Sequence, residues 1–109
     1  MDRLRKISFD DTEFMQELVA IYLDDAPQQL RELQAAAEAQ DLSAIADKAH
    51  RIKGGAANVG AESLAALCAE LERSARRGEN QVDLEKRVEE EMARVSARFS
   101  EIVRELAGS

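Results

Sequence analysis

The chain has 109 residues, of which 45% are hydrophobic and 34% charged, and its net charge at neutral pH is −7. That length suits one domain around one core, and the acidic balance disfavours nucleic acid, whose phosphate backbone calls for a basic field. No apolar run approaches the roughly 20 residues of a membrane span. The charged opening Met1-Asp2-Arg3-Leu4-Arg5-Lys6 leads into no signal-peptide core, so a cytoplasmic protein is expected.

One Pro, five Gly and no Trp, with abundant Ala, Leu, Glu, Arg and Gln, point to an all-α fold. Residues 1–109 read as a single domain, without repeat, linker or low-complexity segment. The single cysteine, Cys68, forms no internal disulfide and, with one histidine in the chain, builds no zinc site. It falls on an apolar helical stripe, which favours a core position over a redox role.

The first helix is expected from about Asp10 to Asp24. Asp10 would cap it with Glu13 in a capping box, and Phe9 would staple to Phe14. Its apolar residues, Met15, Leu18 and Ile21 among them, spread over about 200° of the circumference, more than one core-facing stripe requires. Either this helix wedges across the end of a bundle, or its spare apolar surface around Met15 and Leu18 docks a partner.

Pro27, suited to a first helical turn, opens a second helix over about Ala26 to Ala39, with Leu30, Leu33 and Ala37 on one face. Asp41 caps the third, in which Leu42, Ile45, Ala49, Ile52, Ala56 and Val59 recur at steps of three and four up to Gly60. The fourth carries Leu64, Leu67, Cys68, Leu71 and Ala75 to Gly78. The last spans about Val82 to Ala107, with Val88, Met92, Val95 and Phe99 on its stripe. Short connections predict an antiparallel up-and-down four-helix bundle from the last four, capped at one end by the first.

His50 lies about 130° from the centre of the third helix's apolar stripe, on the exposed side. A lone surface histidine carries no function by itself, but its neighbours are unusual. Lys53 and Gly54 follow at three and four residues, the spacings that share a helix face. Gly54 and Gly55 interrupt the stripe, each at about 1 kcal/mol relative to Ala. One reading ends the helix at Gly54, but Ile52, Ala56 and Val59 keep the period and Gly60 is the better stop. Absent side chains beside an exposed imidazole leave room for another surface to approach it. An imidazole that titrates near neutrality is a good nucleophile, and phosphoryl transfer needs positioning and charge neutralisation, which an ammonium one turn away supplies.

The run Ala49-His50-Arg51-Ile52-Lys53-Gly54-Gly55-Ala56-Ala57-Asn58-Val59-Gly60 closely resembles the signature of histidine-containing phosphotransfer (HPt) domains: a histidine, an apolar residue, Lys-Gly and a closing glycine. Leu64, Leu67 and Leu71-Glu72 resemble the family's next helix. The resemblance implies a four-helix bundle whose histidine relays a phosphoryl group between receiver-domain aspartates, or takes it from a sensor histidine kinase. It implies attack by Nε2 of His50, Lys53 steadying the phosphoryl oxygens, Gly54 permitting approach, and Glu72 hydrogen-bonding the other ring nitrogen. Arg76 would assist an acidic receiver surface, and Arg51, Arg73 and Gly55 would belong to the same contact region.

Nothing in the chain resembles an ATP-binding loop, so a phosphocarrier without autokinase activity is expected. No cofactor is expected, with Mg²⁺ entering with the receiver, and the chain should be monomeric. Two other readings compete. In one, the bundle binds receiver or kinase domains without transferring phosphate. In the other, the near-heptad last helix drives oligomerisation, although the other helices' stripes match it as an internal core.

Overall fold

The computed structural model describes the backbone of residues 2–79 and 82–108 and the side chains of 13–79 and 82–105. Four α-helices follow in order: α1 (Asp2–Glu38), α2 (Leu42–Asn58), α3 (Glu62–Arg76) and α4 (Val82–Gly108), with no strand among the described residues. Each helix packs on its chain neighbours, and α4 closes back on α1. The short connections turn the chain straight back each time, which makes neighbouring helices antiparallel.

The N-terminal half departs from expectation. The two helices expected on either side of Pro27 are one, and Pro27 lies inside α1. There is thus no separate capping helix. A proline there forfeits the hydrogen bond to the Leu23 carbonyl and crowds it, at about 3 kcal/mol. Packing offsets this: Val19, Tyr22, Ala26, Leu33 and Ala36 are buried along one continuous face that spans the proline, while Pro27 itself points outward. Asp10 does not start the helix, because α1 already runs from Asp2. The side chains of Phe9 and Asp10, and with them the expected staple and capping box, lie outside the described residues.

The ends of α2 follow from local chemistry. The Asp41 side chain accepts a hydrogen bond from the Ala44 backbone N–H at 3.1 Å, as an N-cap does. At the other end Ala61 N–H donates to the Ala56 carbonyl at 2.8 Å and Gly60 N–H to Ala57 at 3.1 Å, a Schellman closure. Gly60 takes the left-handed φ of 75° that this closure requires. The helix therefore passes through Gly54 and Gly55 and stops at Gly60.

Alanines at 46, 49 and 56 are fully buried beside Ile45 and Ile52, so α2 approaches α3 closely. Leu64, Cys68 and Leu71 from α3, Leu33 from α1, and Val88 and Met92 from α4 complete the core. Cys68 is a core residue, and burial, with Glu72 nearby, pushes its thiol up to about 12. At 37 and 27 residues, α1 and α4 outreach α2 and α3, with 17 and 15. Between α1 and α4, the Tyr22 ring meets Phe99 edge-on, with centroids 6.0 Å apart. Among the described residues, no helix is long and apolar enough to cross a membrane.

Candidate functional site

His50 stands on the outer face of α2 because Ala49 and Ile52 point into the core. Its side chain is 64% exposed. The Schellman turn after α2 sets the register in which α3 returns, and that register brings Glu72 opposite the imidazole. The carboxylate, 14% exposed, lies across the ring: His50 Nδ1 is 3.2 Å from Oε1 and 3.1 Å from Oε2.

Two cations, Lys53 and Arg76, also converge on the same carboxylate. Lys53 Nζ donates to Oε1 at 3.0 Å, and Arg76 donates through Nε and a terminal nitrogen to Oε2 at 3.3 and 3.2 Å. Arg76 also lies 3.6 Å from Asp47, one turn before His50 on α2. Partial burial alone would raise the Glu72 pKa. The hydrogen bonds from Lys53, His50 and Arg76, with the Lys53 charge, outweigh it and hold the carboxyl below its usual range. An ionised carboxylate only accepts hydrogen bonds, so Nδ1 carries a proton, and in the neutral ring the lone pair is on Nε2. Nε2 has no partner among the described residues.

The two glycines differ. A Cβ built on Gly54 meets nothing within 4 Å, so the fold itself does not demand glycine there. On Gly55 it would sit 3.9 Å from the Tyr22 ring, an ordinary contact toward α1. Gly55 lines a small hollow of about 140 Å³ with Leu18, Ile21, Tyr22 and Val59. Leu18 and Met15 are half-buried on α1, and Ile21 beside them is 57% exposed.

The basic residues named from the sequence do not form one patch. Arg51 turns toward α1, where a terminal nitrogen lies 3.8 Å from Glu32, and Lys48 reaches the same carboxylate at 3.5 Å. A hydrogen bond from Gln28 and the Lys48 charge hold Glu32 below the usual carboxylate range. Arg73 and Arg76 face the other way, over α3, with Arg77 beside them. Asp47 and Arg77 escaped the sequence reading. The signal for Asp47 was its place three residues before His50, on the same helix face. Among the described residues no group of three or more His, Cys, Asp or Glu side chains is placed to hold a metal ion.

An exposed imidazole fixed through one nitrogen, with cations one turn away and open space beside it, has the chemistry of a nucleophile for an electrophile such as a phosphoryl group. The Hpt domain family matches residues 17–98. The crystal structure of histidine-containing phosphotransfer protein B (HptB) from Pseudomonas aeruginosa PAO1 superposes with a TM-score of 0.80 at 37% identity, covering 95% of this chain and 90% of that one. No curated protein matches the chain. The chain therefore belongs to the Hpt family, the histidine phosphotransfer proteins of two-component signalling.

Proposed function

We propose that His50 is the phosphoacceptor, and that this chain relays a phosphoryl group between receiver-domain aspartates or takes it from a sensor histidine kinase. The observation that carries the reading is the Glu72 bond to Nδ1, which leaves Nε2 as the nucleophilic nitrogen on an exposed face. In the forward step the Nε2 lone pair attacks the phosphorus of an aspartyl phosphate. The N–P bond forms, the acyl P–O bond breaks, and the partner's carboxylate leaves. The ring then carries positive charge, which the Glu72 carboxylate balances. Lys53 turns from Glu72 to the phosphoryl oxygens, and Gly54 lets the partner's active-site surface come close. Return transfer reverses these steps.

In this reading residues 1–109 form one cytoplasmic, monomeric phosphocarrier that needs no cofactor and does not phosphorylate itself. Mg²⁺ belongs to the receiver. Gly55, Met15 and Leu18 contribute the apolar part of the contact, and Arg51 and Arg76 its polar edge.

The test is labelling by phosphoramidate and by a panel of phosphorylated receiver domains. Wild type should acquire an acid-labile, base-stable phosphate, and His50→Gln should acquire none. If both stay unlabelled, the chain is a binding module that engages receiver or kinase domains without transfer.

A further inference from the structure

Asp47 takes no part in the proposed transfer, yet it stands one turn before His50 on the same side of α2. Its side chain is 67% exposed, and it meets Arg76 of α3 at 3.6 Å. The same terminal nitrogen of Arg76 lies 3.2 Å from Glu72, so one guanidinium is shared by a carboxylate from each helix. Lys53 holds the other oxygen of Glu72 at 3.0 Å. Two carboxylates and two cations thus balance around a neutral imidazole.

The fold does not call for a carboxylate at Asp47. The N-cap of α2 is Asp41, and Asp47 lies beyond the first turn, where acidic groups complement the helix dipole. An exposed ion pair at this distance adds little stability. A negative charge one turn from His50 also opposes the phosphoryl group it would carry. That opposition has a use in a relay, which must release its cargo as readily as it takes it.

We propose that Asp47 sets the lifetime of the phosphorylated state. By sharing Arg76 with Glu72, it withholds that guanidinium from the phosphoryl oxygens and leaves Lys53 to meet them. The proposal rests on the phosphotransfer reading and adds a control on the same site. In spontaneous loss, a water oxygen bonds to phosphorus, the N–P bond breaks, and its electron pair returns to Nε2. Inorganic phosphate leaves with both protons of the water, and the ring keeps its proton on Nδ1. The phosphoryl group bears two negative charges on the ring and fewer in the loose, metaphosphate-like transition state. A guanidinium on its oxygens therefore holds the phosphorylated state more than the transition state. Arg76, 53% exposed, has room to turn to it once Asp47 loses its charge.

The experiment labels wild type, D47N, R76Q, D47N/R76Q and E70Q with phosphoramidate, removes the reagent, and follows phosphate loss by phosphorus NMR at mildly alkaline pH. No partner is present, so a role of Asp47 in docking could not move this readout. D47N should keep its phosphate about threefold longer than wild type. D47N/R76Q should match R76Q, because the effect runs through Arg76. Glu70, exposed and two residues from Glu72, lies on the far side of α3, so E70Q makes the same change in net charge and should match wild type. Circular dichroism confirms that each variant folds. A D47N lifetime equal to or shorter than that of wild type overturns the proposal. So does the same lengthening in the R76Q background, which would assign the effect to the Asp47 charge alone, or in E70Q, which would assign it to net charge. In each of those cases labelled wild type leaves the phosphotransfer reading intact. If phosphoramidate does not label wild type, that reading fails, and the role of Asp47 with it.

Discussion

His50 Nδ1 and Glu72 Oε2 lie 3.1 Å apart across the α2–α3 interface, although 22 residues separate them in the chain. The same carboxylate holds Lys53 and Arg76, so one side chain fixes the ring tautomer and parks two cations beside it. Lys53 is thus paired with Glu72 and not aimed at empty space. In the proposed transfer, a phosphoryl group arriving on Nε2 would compete with Glu72 for that ammonium.

Replacing Glu72 with Gln keeps an acceptor for Nδ1–H but removes the charge. A charge-assisted hydrogen bond exceeds a neutral one by about 1 to 1.5 kcal/mol, so phosphoramidate labelling of His50 should slow by roughly tenfold. The pH dependence has a definite sign. The folded pKa of Glu72 is depressed below the ordinary 4.5. Its contribution to stability is therefore present above that value and is lost as pH falls through the lower folded pKa. Denaturant midpoints between pH 5 and 2 should fall more steeply for wild type than for Glu72→Gln.

Glu85 behaves in the opposite way. It is 7% exposed on α4, and Oε2 is buried without a hydrogen-bond partner. Burial, with the charge of Glu89, raises its pKa above 4.5. Folding then favours the protonated acid, so the penalty for ionising it is absent below pH 4.5 and grows as pH rises through the folded value. Glu85→Gln should stabilise the protein by about 1 kcal/mol at pH 7 and have little effect at pH 4, as read by urea denaturation. Equal midpoints for the two proteins at pH 7 would show that the carboxylate finds a partner in solution.

How much of this was readable in the sequence depends on which interactions decide each feature. The boundaries of α2 were legible because they are local: Asp41 caps one end, and Gly60 supplies the left-handed residue at the other. The exposure of His50 followed from the same helix's period. The continuity of α1 was legible too, but the signals conflicted. Val19, Tyr22, Ala26, Leu30 and Leu33 keep helical steps across Pro27, but Pro27 also reads as the first turn of a new helix, and tertiary burial of the continuous face decides between them. The Glu72 contact was beyond periodicity, because it depends on the register between α2 and α3; only the family resemblance indicated it. The separation of Arg51 from Arg73 had no sequence signal, since the two leave His50 toward different neighbouring helices.

Gln40 has no such signal either. It closes α1 in a Schellman turn, with its N–H on the Ala37 carbonyl and that of Asp41 on Ala36, each at 3.0 Å. Its φ is 55°, in the region that penalises a Cβ by about 1–2 kcal/mol. Glycine removes the penalty and regains part of it as unfolded-state entropy. Gln40→Gly should therefore raise stability by about 0.5–1 kcal/mol without altering phosphoramidate labelling. Thermal melts of the two proteins check the first expectation. A lower melting temperature in the variant would mean that the Gln40 side chain contributes more than its backbone strain removes.

Gly54 separates what the fold needs from what the partner needs. A methyl group there meets nothing within 4 Å, and glycine inside a helix costs about 1 kcal/mol relative to alanine. Gly54→Ala should thus stabilise α2 by about that amount. If the glycine exists to admit a partner's surface one turn from His50, added bulk should obstruct transfer from a receiver more than attack on a small phosphodonor. A series of Ala, Val and Leu at this position should show receiver transfer falling progressively with side-chain size, and falling faster than phosphoramidate labelling. Melting temperature follows a different order, because Val, being β-branched, loses part of the helix preference that Ala and Leu retain. Parallel declines in both rates would instead place the effect on the imidazole itself, and receiver transfer unaffected by Leu would remove Gly54 from the contact.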